Sequence, residues 1–410
     1  MSVQGPILVV SDDKQPALAA ALDEGGMFPL IETVWADAPR AIAQTKPVVI
    51  IAAAQDAKPG LDALARQVDA LTPYLPFVAI DPKHPLPQNA IPFSPAGKDW
   101  TRIISRLRAS LRVRTLHATV LRRLNDHAAV RPDIPEVNPL RDATVLLIGR
   151  AGGYSALSVT LGEQVGVVGA LSIEAAAKHL NTRDIDGIVL AEGFSDRVVD
   201  AFLTVLGEDP RFRHLPVVTA LPGLALTHDL ANLENIVGDP SLVAANTLPM
   251  VRQHAFAAHL SRTLRSLDAG GLLDPRTGLL TTTAFARDLA TAVGQTQSDG
   301  GGLSVARFSF DPADERAQMD GARLLGRLLR QMDFGAAQDD GSVIVAFAET
   351  DLRTAHMIAR RLSSVMRHTS HGRRETRRSE PDVSFAMLQP SDTAQSLLAR
   401  LYEDRHRAAS

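Results

Sequence analysis

The chain has 410 residues, 45% of them hydrophobic and 22% charged, with 43 Lys and Arg against 46 Asp and Glu. At about 100–200 residues per domain, that length predicts two to four globular domains. A net charge of −3 excludes a broad field for nucleic acid or anionic membrane, and the lack of cysteine excludes disulfides, thiolate metal sites and thiol nucleophiles.

Residues 1–125 alternate aliphatic runs with helical patterns. Pro6-Ile7-Leu8-Val9-Val10, Val48-Val49-Ile50-Ile51 and Phe77-Val78-Ala79-Ile80 read as buried strands, with a helix near 16–23. Such runs, spaced by helices, predict a doubly wound parallel sheet. Residues 101–124 read as one long helix, its apolar stripe of Ile104, Leu107, Leu111, Val120, Leu121 and Leu124 interleaved with arginines. That stripe predicts pairing, with a second copy or with the rest of the chain. Residues 126–140, with Pro132, Pro135 and Pro139, read as a linker.

The pattern then restarts over 141–268. Ala143-Thr144-Val145-Leu146-Leu147-Ile148, Gly187-Ile188-Val189-Leu190 and Leu215-Pro216-Val217-Val218 match the first, third and fourth strands, and a helix over about 251–267 closes the unit. Gly270-Gly271 breaks that helix. Residues 269–410 form a third domain, with strand-like segments at 303–310, 343–347 and 383–388 among helices, an α/β sandwich of different design. No apolar run reaches the roughly 18–20 residues of a membrane span. The opening MSVQGPILVVSDD has no basic n-region or cleavage site. A cytoplasmic location is the expectation.

The first two units resemble response-regulator receiver domains, through Ile7-Leu8-Val9-Val10-Ser11-Asp12-Asp13 and Asp209-Pro210-Arg211-Phe212-Arg213-His214-Leu215-Pro216-Val217-Val218. The resemblance implies (βα)5 folds. Receiver chemistry needs a metal-binding acidic pair, an aspartate nucleophile, a hydroxyl residue and a Lys-Pro. Asp12 and Asp13 supply the pair in the first unit, but the nucleophile falls on Ala53, with Asp56 the nearest carboxylate. Asp81 stands at the hydroxyl position and Ser94 before Pro95 at the lysine. The second unit has Gly149 and Arg150 for the pair, Glu192 near the nucleophile position and Leu248 before Pro249. Neither unit is expected to be phosphorylated.

Leu273-Asp274-Pro275-Arg276-Thr277-Gly278-Leu279-Leu280-Thr281-Thr282-Thr283-Ala284-Phe285 resembles the D-x-L-T-G-L-x-N-R-x-x-F opening of GGDEF (diguanylate cyclase) domains. Asp382-Val383-Ser384-Phe385-Ala386 and Ser396-Leu397-Leu398-Ala399-Arg400 resemble that family's close. Thr281 replaces the guanine-reading Asn, Ser309 the first metal-binding Asp, and Asp339-Asp340-Gly341-Ser342 the signature hairpin, while Asp311 remains. The stretch between strand and hairpin is also shorter than the family's. On this resemblance no residue is catalytic, no metal is held, and the domain is a degenerate GGDEF.

The family's product-binding pattern, R-x-x-D just upstream of the hairpin, matches Arg330-Gln331-Met332-Asp333, and Arg361 falls at the second arginine of that site. Arg offers a planar fork to the O6/N7 edge of guanine, and Asp accepts from N1 and N2. R-x-x-D also begins at Arg66, Arg123, Arg183, Arg197 and Arg265, where helical i,i+3 ion pairs would explain it, as they would here. The domain order resembles PopA-type cyclic di-GMP receptors, related to PleD-type cyclases. It implies an inactive receptor and adaptor in cell-cycle control, a homodimer at the cell pole that delivers regulators to a ClpXP-type protease. A ligand-independent scaffold is the other reading. The basic stretch His371-Gly372-Arg373-Arg374-Glu375-Thr376-Arg377-Arg378 reads as a solvated loop.

Overall fold

The computed structural model describes residues 5–27, 29–54, 60–95, 100–126, 138–150, 152–223, 228, 230–366 and 381–408. Asp56, most of the expected linker and the basic stretch 371–378 lie outside the described residues.

The first parallel sheet is built from β1 (Ile7–Val10), α1 (Pro16–Glu24), β2 (Leu30–Thr33), α2 (Ala38–Thr45), β3 (Val49–Ala53), α3 (Leu61–Asp69), β4 (Phe77–Ile80), β5 (Ala90–Phe93) and the long α4 (Thr101–Asp126). The second repeats the scheme with β6 (Thr144–Ile148), α5 (Gly153–Gly162), β7 (Gly166–Ala170), α6 (Ile173–Thr182), β8 (Gly187–Leu190), α7 (Asp196–Glu208), β9 (Val217–Thr219), β10 (Leu233–Asn235) and α8 (Pro240–Asp268). Their strand orders, β2-β1-β3-β4-β5 and β7-β6-β8-β9-β10, are the same doubly wound order with every pair parallel. The runs Ile7–Val10, Val49–Ala53 and Phe77–Ile80 are buried at every residue, because helices cover both faces of the sheet.

Two expectations are corrected. The (βα)5 pattern is one helix short in each domain: residues 81–89 form no helix between β4 and β5, and the described residues between β9 and β10 carry none. The closing helix of the second domain begins at Pro240, a favoured first helical residue, and runs through Pro249. Leu248-Pro249 therefore lies inside α8, and the proline after the last strand is Pro240, preceded by Asp239. β10 is three residues long and polar at Glu234 and Asn235, so it offers no aliphatic run to reveal where the strand lies.

The third sheet is antiparallel. It comprises α9 (Thr282–Asp299), β11 (Ser304–Ser309), α10 (Glu315–Leu328), β12 (Phe334–Ala337), β13 (Val343–Phe347), α11 (Leu352–Met366), β14 (Asp382–Met387) and α12 (Ala394–Ala408), in the strand order β12-β13-β11-β14. Period-two alternation splits its core. Ala306, Phe308, Val343, Val345 and Phe347 face α10 and α11, while Val305, Ile344 and Ala346 pack with Phe285 and Leu289 of α9 and Leu397 and Leu401 of α12.

By packing, the chain divides into two compact units: Met1–Ala128, Val137–Ala176 and Ile185–Leu260 hold both parallel sheets, and Ala129–Glu136, Ala177–Asp184 and Ser261–Ser410 hold the antiparallel one. No described helix is long and apolar enough to cross a membrane.

In the first unit the Tyr74 N–H donates to His117 Nδ1 at 2.9 Å, which requires the neutral ring. Burial, then the Arg114 charge, pushes the His117 pKa down, and burial lowers that of His214 as well. A depressed histidine contributes stability in full above its unfolded value of about 6.5, and loses it as pH falls below that value. Thermal denaturation should therefore show the first unit less stable at pH 5.5 than at pH 8. His117→Gln, which keeps an acceptor without the titration, should flatten that slope.

Candidate functional site

The motif that opens the third domain folds into a tight loop. The Asp274 carboxylate accepts from the N–H groups of Arg276 at 3.0 Å and Thr277 at 3.2 Å and from the Thr277 hydroxyl at 2.5 Å. Gly278, at φ +79°, reverses the chain and delivers Leu279 to the core. Thr281, at the expected guanine-reading position, caps α9 instead, its hydroxyl accepting from the Ala284 N–H at 3.3 Å.

Beside the hairpin between β12 and β13 lies an internal cation that sequence reasoning missed. Arg307 of β11 is only 4% exposed. Its Nε donates to Ser342 Oγ at 3.0 Å, its Nη2 pairs with Asp340, and its guanidinium lies 4.5 Å from the centroid of the Tyr402 ring. Asp340 Oδ1 also accepts from the Ser342 hydroxyl at 2.6 Å and N–H at 3.0 Å. Partial burial opposes ionisation of Asp340, but these bonds and the Arg307 charge outweigh it and hold its carboxyl below the ordinary range. Gly341 has φ +77°, and a Cβ there would come within 2.0 Å of Gln318 Oε1. Asp311, the acidic residue left at the strand end, is spent on a turn, accepting from the Ala313 N–H at 2.9 Å. A pocket of about 410 Å³ lined by Arg307, Ser309, Asp339, Asp340 and Ser342 remains beside the hairpin. The sequence signal was a lone arginine in the apolar run Leu303-Ser304-Val305-Ala306-Arg307-Phe308, which a buried strand holds only with partners.

Arg330 and Asp333 lie in the turn between α10 and β12, where the Asp333 N–H donates to the Arg330 carbonyl at 3.0 Å. α10 has already ended at Leu328, so Arg330 and Asp333 are no helical i,i+3 pair. Asp333 is 8% exposed, and its Oδ2 is buried with no hydrogen-bond partner. Burial pushes its carboxyl above the ordinary range, against the backbone N–H groups of Ala348 and Arg330 and the Arg330 charge. The Ala348 contact, supplied by the chain just past β13, has no signature in sequence.

Arg361 comes from α11, which packs on α10. Ala355, Ile358, Ala359 and Leu362 turn inward, leaving Arg361 exposed, as Arg330 is. Among the described residues neither arginine has a carboxylate within ion-pair distance, and no bond joins Arg361 to Arg330 or Asp333. Three of the other R-x-x-D segments differ: Asp69 pairs with Arg252 at 2.8 Å, Asp200 with His228 at 3.1 Å and Arg183 with Asp320 at 3.0 Å.

In the parallel-sheet domains, Asp12 and Asp13 border a crevice of about 340 Å³ beyond β1 and β2, and Asp12 Oδ1 accepts from the Trp35 N–H at 3.4 Å. Ala53 ends β3 and carries no nucleophile, Asp81 follows β4 at φ +49°, and Ser94 follows β5. Gly149 and Arg150 follow β6, and Glu192 lies two residues beyond β8, its carbonyl accepting from the Arg150 N–H. Among the described residues, no group of three or more His, Asp or Glu is arranged to hold a metal ion.

No protein-family model and no curated protein matches the sequence. Solved structures similar to part of the chain are GGDEF domains. The coiled coil and GGDEF domain of DgcB from Caulobacter crescentus, in complex with c-di-GMP, is 17% identical, with a TM-score of 0.31 over 36% of this chain and 87% of that one. A sensory box/GGDEF family protein from Caulobacter crescentus is 23% identical, with a TM-score of 0.28 over 34% and 97%. The GGDEF domain of FimX from Pseudomonas aeruginosa is 19% identical, with a TM-score of 0.27 over 32% and 90%. The likeness spans about a third of the chain.

Proposed function

We propose that the chain is a non-catalytic receptor for cyclic di-GMP, which binds at Arg330, Asp333 and Arg361. The observation that carries this reading is the buried Oδ2 of Asp333, an acceptor with no partner. A buried unsatisfied carboxylate oxygen costs free energy, and the N1–H and N2–H groups of a guanine would satisfy it. Two exposed arginines, without carboxylate partners among the described residues, lie beside it in sequence or on the helix that packs on α10, and suit the base edge and the two phosphates of the ligand. Isothermal titration calorimetry of the full chain with cyclic di-GMP tests the proposal. Saturable heat at one site supports it, and a flat titration leaves the ligand-independent scaffold in its place.

The same reading makes the domain inactive as a cyclase. Arg307, Asp340 and Ser342 satisfy one another where a metal-bound triphosphate would have to sit, and Asp339 and Asp340 would repel its phosphates. Incubation with GTP and Mg²⁺ should yield no cyclic di-GMP by mass spectrometry; product that disappears in Asp311→Asn would overturn this. Acetyl phosphate should leave the mass of the protein unchanged, since Ala53 ends the strand where an aspartate would be attacked. A phospho-adduct on Asp56 or Glu192 would overturn that. The parallel-sheet domains then serve as a protein-binding body. Resemblance to PopA-type receptors supports an adaptor that presents regulators to a ClpXP-type protease, in the cytoplasm and at the cell pole.

A further inference from the structure

Among the described residues, neither parallel-sheet domain has a helix between its last two strands, and the two last strands, β5 and β10, lie within one packed body. Ile91 of β5 is 1% exposed and shares an apolar cluster with Val243, Leu248 and Val251 of α8. The contacts are reciprocal. Arg106 of α4 donates to the carbonyls of Ala231 at 2.8 Å and Leu233 at 3.2 Å, at β10. Asn246 of α8 accepts from the Leu86 N–H at 3.0 Å, ahead of β5. Further along the same helices, the His117 ring meets Phe256 edge-on at 5.1 Å, and Gln253 donates to the Tyr74 hydroxyl at 3.1 Å.

At the centre, Arg106 and Glu234 are both fully buried, with Nη2 2.8 Å from Oε1. Arg106 Nη1 donates to the Pro92 carbonyl at 2.6 Å, and Glu234 Oε2 accepts from the Ser94 N–H at 3.0 Å. Arg102 is a second cation, 4.0 Å from the same carboxylate.

We infer that this is a built-in pseudo-dimer interface, which locks the two parallel-sheet domains into one body with the Arg106–Glu234 pair as its register-setting element. A buried ion pair adds little net stability over an apolar pair of the same volume, because desolvation offsets the attraction. What it enforces is register: any shift of one domain on the other strands two buried charges and the N–H of Ser94. On α4 the two roles divide by face: Ile104, Leu107 and Leu111 of the apolar stripe pack with Ile7, Val9, Leu18 and Leu22 in the core of the first domain, while Arg106 and His117 meet the second. The two domains do not move independently.

Residue-resolved hydrogen exchange on the full chain tests this. Leu86 and Ser94 lie outside any helix or strand, yet their amides should exchange as slowly as that of Ile188 in the central strand β8. Glu234→Ala, which leaves Arg106 buried and unpaired, should accelerate both amides by about a hundredfold relative to Ile188. Rapid exchange of Leu86 and Ser94 in the unsubstituted protein, or no response to Glu234→Ala, would overturn the inference. Should that variant fail to fold, a cross-link decides. Gln88 and Gln164 touch across the interface at 3.1 Å on the surface, and the chain has no native cysteine. Gln88→Cys with Gln164→Cys should be bridged by a short bismaleimide within one chain. A covalent dimer, or no bridge, sinks the lock.

Discussion

Arg330→Ala is expected to weaken cyclic di-GMP binding by about tenfold to a hundredfold while leaving the protein folded. A bidentate arginine–guanine contact contributes about 1–3 kcal/mol of discrimination, and about 1.4 kcal/mol is a factor of ten. The side chain is exposed and has no carboxylate within ion-pair distance among the described residues, so its removal leaves no buried group stranded. Arg361→Ala should act in the same direction, from the helix beside it. Arg123→Ala, in an R-x-x-D of α4 outside the antiparallel domain, should leave the affinity unchanged. Asp333→Asn should also weaken binding, because one acceptor oxygen becomes a donor facing the donors of guanine. Asp333 must be ionised to accept twice, and burial raises its pKa. Affinity should therefore start to fall at a higher pH than the ordinary aspartate value of about 3.9. Calorimetry at two pH values with these variants is the measurement. Normal binding by Arg330→Ala would remove the receptor reading.

The adjacent aspartates of the hairpin should give opposite results. Asp340→Ala removes the carboxylate that satisfies a nearly buried guanidinium, and it should cost about 1–3 kcal/mol, the penalty for a buried polar group left without its partner. Asp339→Ala, at an exposed position, should stay within about 0.5 kcal/mol of the parent. Arg307→Met combined with Asp340→Ala should recover part of the loss, since no unpaired charge then remains. Urea denaturation of the parent, Asp339→Ala, Asp340→Ala, Arg307→Met and the double variant is the measurement, the last three closing a cycle with the parent. Equal effects at the two aspartates would show that Asp340 does not hold Arg307.

Much of the architecture could be read directly from the sequence. Four-residue aliphatic runs such as Ile7-Leu8-Val9-Val10 have one stable fate, a strand covered on both faces, and their recurrence announced two parallel sheets. Arg330, Asp333 and Arg361 enter the proposal as a set through motif register alone, which is a property of the chain. β2, β7 and β10 escaped because they are short, polar or glycine-bearing, and their places depend on neighbours that supply the hydrogen bonds. The sequence places the start of α8 too late because Leu248-Pro249 matches the Lys-Pro position expected after the last strand, although the packing of Val243, Leu248 and Val251 carries the helix through it. Only the tertiary structure could decide three matters: that Arg307 serves the hairpin, that Asp333 keeps an oxygen without a partner, and that Arg106 meets Glu234 across 128 residues of chain. Each depends on burial and on the meeting of groups far apart in sequence. No periodicity or spacing encodes either, because desolvation and pairing exist only once the chain has closed around the charge.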